Sequence, residues 1–128
     1  MTIERKFLIY ASDMINQECE RVHKANEKWW TDIHTGERLN RSVPEMLCLV
    51  HSEISEALEG HRKNLKDDKL PHRPMIEVEL ADAIIRIFDI AAGLKLDLGG
   101  AYEEKMAYNA VRADHKIENR LKENGKKY

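Results

Sequence analysis

Four carboxylates stand in two pairs with the same spacing: Glu53 and Glu56 in HSEISEALEG, then Glu79 and Asp82 in EVELADAIIRI. Residues three apart on a helix are neighbours on one face, so each pair sets two carboxylates side by side. Carboxylates brought together repel, and burying each ion costs roughly several kcal/mol, so such a cluster persists only with protons or cations to neutralise it. A hard divalent cation is the economical partner. Mg²⁺ prefers oxygen ligands, retains water, and is commonly held by a few carboxylates together with substrate phosphates. The chemistry indicated is phosphate chemistry. A single ExxE in a charged helix is ordinarily a solvated face. A second acid pair on a helix that is otherwise apolar shifts the reading toward a site.

The helices that carry these pairs can be placed on a wheel. With Val50 at the origin, Val43, Met46, Leu47, Ile54, Ala57 and Leu58 fall within about 80°, Glu53 at about −60°, inside the edge of that apolar arc, and Glu56 at about −120°, just beyond it. Glu59 faces solvent. For the next helix, Leu80, Ala81, Ile87, Phe88, Ala91, Ala92 and Leu94 flank Ile84, and Val78, Ile85 and Ile90 widen the arc, so burial on most sides is expected. Its one polar strip is Glu79, Asp82, Arg86 and Asp89, within about 40° of the point opposite Ile84.

The rest of the chain reads as helix and connection. Ile3, Phe7, Ala11, Met14, Ile15, Cys19 and Val22 recur at steps of three and four across residues 3 to 28, an amphipathic helix. WWTDIHTGERLNRS then loses periodicity and gathers turn residues. Ser42 is a natural N-cap, Pro44 suits the first turn, and Glu45 completes the spacing of a capping box. KDDKLPHRPM connects the second helix to a third that begins near Pro74 and closes at Gly93 and LDLGG. The fourth segment, AYEEKMAYNAVRADHKIENRL, is helical at least to about Arg112, ahead of a basic tail from about residue 113. No strand pattern, repeat or low-complexity stretch is present. The expectation is one all-α domain over residues 1–128, of the four-helix-bundle type.

Composition agrees. The 128 residues are 42% hydrophobic and 34% charged, with three Pro and six Gly, as a globular helical protein requires. A net charge of −2 with scattered Lys and Arg supplies no field for nucleic acid. No apolar run reaches the roughly 18 residues of a membrane span, and MTIERKFLIY is too charged for a secretory signal, so a cytoplasmic protein is expected. Cys19 and Cys48 read as reduced packing residues, and His51, His61 and His72 as surface histidines.

The ordered motifs resemble those of the MazG-like, all-α nucleoside triphosphate pyrophosphohydrolases, in which an acidic ExxE on one helix is followed by ExxD on the next. Here Lys105, Asn109 and Arg112 in YEEKMAYNAVRADHK match that family's fourth-helix pattern KxxxNxxR. The similarity covers about residues 40 to 116. It implies Mg²⁺, with Mn²⁺ as a substitute, on Glu53, Glu56, Glu79 and Asp82, and hydrolysis of a triphosphate to a nucleoside monophosphate and pyrophosphate. Glu53 or Glu56 would orient the attacking water, and Lys105, Asn109 and Arg112 would grip phosphate or sugar. Similar enzymes enclose the base with groups from the end of helix one and the following loop, here His23, Asn26, Trp29 and Trp30; each Trp is equally open to a packing role. Arg86 and Asp89 would border the nucleotide, or Arg86 would simply pair with Asp82 or Asp89. Ser52 stands where longer members have a second acid before Glu53. The RADHKIENR stretch followed by GKKY resembles compact phage and bacterial versions, some acting on purine deoxynucleotides such as dGTP or dATP.

Three rival readings share some of these features. Phosphoribosyl-ATP pyrophosphohydrolase has the same metal motif, a ferritin-like di-iron site needs paired ExxH motifs of which only Glu20 to His23 is present, and a helical adaptor would carry the acids as decoration. A four-helix chain this short, with so apolar a third helix, is expected to self-associate as a homodimer or homotetramer.

Overall fold

A computed structural model describes the backbone of residues 3–128 and the side-chain surroundings of residues 11–128. The side chains of Ile3 and Phe7 in the expected apolar stripe therefore lie outside the described residues. The described chain is all-helical: α1 (Ile3–Ala25), α2 (Val43–Arg62), α3 (Met75–Gly93), α4 (Leu98–Val111) and a short α5 (Ile117–Arg120), with 3₁₀ turns at Glu27–Trp29 and Ala113–His115. Among these residues extended backbone pairs only as isolated bridges, Thr31 with Arg38 and Lys66 with Pro74. No described helix is long and apolar enough to cross a membrane.

The chain divides into two compact units, one of Gln17–Leu96 and one joining Met1–Asn16 to Asp97–Tyr128. In the first, α2 packs on α3. The Ser42 hydroxyl accepts from the Glu45 backbone N–H at 3.3 Å and Pro44 sits in the first turn, which caps α2 where the S-x-x-E spacing places its start. The helices face each other through small residues: Ala57 and Ala83 are buried, and Gly60 leaves room for the Met75 side chain, which a Cβ there would strike. Trp30, Met46 and Ile90 form the buried apolar cluster, flanked by Val50 and Leu94.

The third helix closes at Gly93 as expected, with Lys95 (φ 59°) two residues on in the left-handed region. Gly93 also serves packing, since a Cβ there would overlap the Trp30 indole. One local expectation changes. The apolar arc of α3 is not buried on most sides: Leu80, Ile84, Ile85 and Ile87 are exposed, while Glu79 and Asp89 are buried. The polar strip is the side turned toward α2, so the large aliphatic residues opposite it face outward. On α2 the same shift exposes Leu47, Ile54 and Leu58 and buries Met46, Glu53, Ala57 and Gly60.

In the second unit, Gly99 of α4 lies against the Ser12 carbonyl of α1, too close for any side chain. The Asn16 side chain bridges the Asp97 carboxylate and the Gly99 N–H, each at 2.8 Å. After α4 the backbone turns extended at Arg112, about where the fourth helix was expected to reach, and the chain goes on through the Ala113–His115 turn and α5. The Arg120 guanidinium bonds the carbonyls of Lys126 and Lys127, which folds the basic tail back.

Candidate metal centre

α2 and α3 bring Glu53, Glu56 and Glu79 together. Each offers a carboxylate oxygen, and these oxygens lie within 4.8 Å of one another. Glu53 and Glu79 are buried and Glu56 is exposed, so the cluster has an inner side and an open side. The i,i+3 spacing on α2 and the close approach allowed by Ala57, Gly60 and Ala83 are what produce it.

Glu79 carries the clearest electrostatic signature. It is 8% exposed, and its Oε2 is buried without a hydrogen-bond partner among the described residues. Burial, and then the adjacent Glu53 and Glu56 carboxylates, push its pKa up to about 8. The two observations fit together, because ionised carboxylates cannot donate to each other, so a proton on one of them or a cation between them relieves both the unpartnered oxygen and the repulsion. Asp82, half-buried one turn along, is also raised, first by burial and then by Glu53, with Arg86 opposing. Asp82 lies outside the group of three converging oxygens and beside the same cavity.

The donor set fits a hard divalent cation. Oxygens of three carboxylates at this spacing, one of them otherwise unsatisfied, suit Mg²⁺ or Mn²⁺ and leave further coordination positions to water or ligand. Among the described residues no sulfur or imidazole joins the cluster, which argues against zinc. It also lacks the paired Glu-x-x-His units of a ferritin-like di-iron site; the one ExxH, Glu20 to His23, directs its histidine elsewhere.

A cavity of about 520 Å³ opens next to these acids, lined by Glu53, Asp82, Arg86 and Asp89 from α2 and α3 and by Asn26, Trp29 and Arg41 from the preceding segments. The size suits a small-molecule ligand. Arg86 does not pair along its own helix with Asp82 or Asp89. Its Nε donates to Glu53 Oε1 at 2.8 Å, across to α2. Asp89 is buried and accepts from Trp30 Nε1 on both oxygens at 3.0 Å, and His23 Nδ1 lies 2.8 Å from its Oδ1. The Arg38 and Arg41 guanidinium carbons sit 5.0 and 5.1 Å from the Trp30 ring centroid.

The tryptophans thus separate. Trp30, 3% exposed, is the packing residue, with its indole N–H spent on Asp89. Trp29 is 62% exposed and lines the cavity together with Asn26. His51, His61 and His72 are exposed. Both cysteines are free, Cys19 buried and Cys48 exposed, so only the first is a packing residue.

Lys105, Asn109 and Arg112 belong to the second unit, where they gather around Tyr108. Lys105 Nζ and Arg112 Cζ lie 5.0 and 5.5 Å from its ring centroid. Arg112 reaches Asn109 Oδ1 at 3.4 Å and forms a two-pronged pair with Asp114 at 2.8 Å on each bond. That pair raises the Arg112 pKa and lowers that of Asp114.

Two residues join the picture that spacing alone does not single out. Arg41 reaches the cavity because the loop after Trp30 folds back, as the Leu39 N–H to Trp30 carbonyl bond at 2.8 Å records. Asp67, in the α2–α3 connection, is buried, and its Oδ2 accepts from the Lys69 and Leu70 backbone N–H groups at 3.0 and 2.8 Å. An Asp two residues before a polar turn is a recognisable cue for that motif. Its charge is among those that raise Asp82.

Comparison of the chain with protein-family models, curated proteins and solved structures finds no match.

Proposed function

We propose that this chain is a magnesium-dependent pyrophosphohydrolase of the MazG-like kind, cleaving a (deoxy)nucleoside triphosphate to the nucleoside monophosphate and pyrophosphate. The observation that carries this reading is the convergence of Glu53, Glu56 and Glu79 from consecutive helices around a buried, unpartnered Glu79 oxygen, beside a cavity that also holds cationic and aromatic groups. The order ExxE, ExxD, KxxxNxxR in the sequence supports the same class.

Glu53, Glu56 and Glu79 hold the ion, with Asp82 alongside. When bound, such an ion supplies Lewis-acid polarisation of phosphoryl oxygens and a water of lowered pKa. Glu56, on the open side of the cluster, orients the attacking water, since Glu53 and Glu79 are both buried. Arg41 and Arg86 at the cavity wall offer guanidinium donors to phosphate oxygens. Trp29 presents an indole face for the base, a contact worth about 1–3 kcal/mol. The assignment of Lys105, Asn109 and Arg112 to phosphate or sugar rests on the KxxxNxxR spacing.

The exposed aliphatic faces of α2 and α3 support a further part of the proposal, assembly as a homodimer or homotetramer. Leu47, Ile54, Leu58, Leu80, Ile84 and Ile87 are each 39–56% exposed in the single chain, more apolar surface than one pair of helices normally leaves in water. A monomer by light scattering at micromolar concentration contradicts that part.

A panel of purine and pyrimidine dNTPs and NTPs, together with phosphoribosyl-ATP, incubated with Mg²⁺ and scored for monophosphate and pyrophosphate, tests the activity. Turnover of a nucleoside triphosphate in preference to phosphoribosyl-ATP is expected. Preference for the latter moves the chain to the related reaction, and no turnover of any compound returns it to the adaptor reading.

A further inference from the structure

We propose that Arg86 is an exchangeable counter-ion: it holds Glu53 while the cluster lacks a divalent cation, and moves to a phosphate-bearing ligand in the adjoining cavity once a cation occupies Glu53. This rests on the reading of the cluster as a metal centre.

The geometry sets up a competition. Arg86 Nε donates to Glu53 Oε1 at 2.8 Å, and Glu53 is one of the three residues whose oxygens converge. A cation coordinating Glu53 reduces the negative charge that the guanidinium answers, and the two positive species repel across the same carboxylate. Nor can one guanidinium satisfy the cluster, because Glu79 Oε2 stays buried and, among the described residues, unpartnered with Arg86 in place.

The two partners differ in freedom. The Glu53 side chain is 11% exposed, that of Arg86 40%, so the arginine is the member able to move. Of the two acids one turn away on α3, Asp89 is already engaged by Trp30 and lies against His23, and Asp82, whose carboxyl the Arg86 charge already favours in its ionised form, lines the same cavity. A released Arg86 is left facing the cavity it lines, where Arg41 is also present. Two guanidiniums beside a cation site make a receptor for the terminal part of a polyphosphate, which offers the oxygen geometry that arginine matches. The pair therefore couples the two binding events: the cation frees the arginine that the anion uses.

A fixed Arg86 gives the opposite signature. Were it a static support that orients Glu53 for the ion, its removal would weaken cation binding, as loss of outer-shell partners does. Arg86→Gln and Arg86→Lys in the full chain separate the cases. Mn²⁺ binding is followed by the electron paramagnetic resonance of the free ion, without nucleotide. Inorganic pyrophosphate binding to the Mn²⁺-saturated protein is followed by calorimetry, and circular dichroism reports the fold. Exchange predicts Mn²⁺ binding about tenfold tighter in R86Q, the order expected when a charge-assisted hydrogen bond no longer competes. Pyrophosphate should bind about tenfold more weakly on the same basis. R86K, which keeps the charge and loses the fork, should fall between, and serves alone should R86Q not fold. Mn²⁺ affinity unchanged or reduced in the variants overturns the proposal, as does unaltered pyrophosphate binding. A wild-type chain that binds no Mn²⁺ removes the metal centre itself, and this inference with it.

Discussion

The two sides of α3 carry opposite chemistry. The side toward α2 bears Glu79, Asp82, Arg86 and Asp89, buried or half-buried, whereas Leu80, Ile84 and Ile87 on the other side are exposed. Hydrophobic burial alone would arrange them the other way. The α2–α3 contact is instead built on small residues, which bring backbones close, and on a narrow apolar cluster around Trp30. The cost of enclosing like charges is accepted on one side, and the apolar surface is left available on the other. In the function proposed above, one face serves a cation and its ligand, and the other a second copy of the chain.

The contrast can be broken most severely at the acid side. Glu53→Ala or Asp82→Ala should reduce pyrophosphate release by about a hundred- to a thousandfold, as loss of a group acting on transition-state charge does, with helicity retained by circular dichroism.

Next in size is the pH dependence of the metal-free chain. Glu79 titrates near 8 when folded and near its ordinary value, 4.5, when unfolded. Between these values the folded state holds a proton that the unfolded state has lost, so stability falls as pH rises from about 4.5 through 8 and levels off above. The total is on the order of a few kcal/mol. Urea titrations in EDTA from pH 5 to 9 should show this decline, and Glu79→Gln or added Mg²⁺ should flatten it.

Trp30→Phe keeps an aromatic ring against Met46 and Ile90 and removes both N–H contacts to buried Asp89. A loss of about 1–3 kcal/mol is expected from denaturant unfolding, whereas Trp29→Phe, at an exposed position, should change stability by less than about 0.5 kcal/mol. Smallest in the single chain is Ile84→Glu on the outward face, within about 0.5 kcal/mol for an isolated protomer. Its effect should appear in light scattering, as dissociation of the assembly.

Much of this was legible from spacing. The S-x-x-E cap placed the start of α2, and the two acid pairs indicated that α2 and α3 would present carboxylates to each other. The direction of the apolar arcs was not legible, because a helical wheel ranks faces by hydrophobicity and says nothing about which one meets the partner helix in the same chain. Arg86 illustrates a second limit. Neighbours at i±3 and i±4 suggested Asp82 or Asp89, yet the nearer approach of α2 supplied Glu53. The Trp30–Asp89 contact spans 59 positions and depends on how the loop after Trp30 folds, which residue types do not encode locally.

The central claim is that the carboxylates of α2 and α3 hold a cation for pyrophosphate release. The most direct test is ³¹P NMR of a dNTP incubated with the chain, with and without Mg²⁺, beside Glu79→Gln. Equal amounts of nucleoside monophosphate and pyrophosphate, formed only with Mg²⁺ and lost in the folded variant, are predicted. Turnover that survives in Glu79→Gln or proceeds in EDTA, or a diphosphate and orthophosphate product pair, would contradict it.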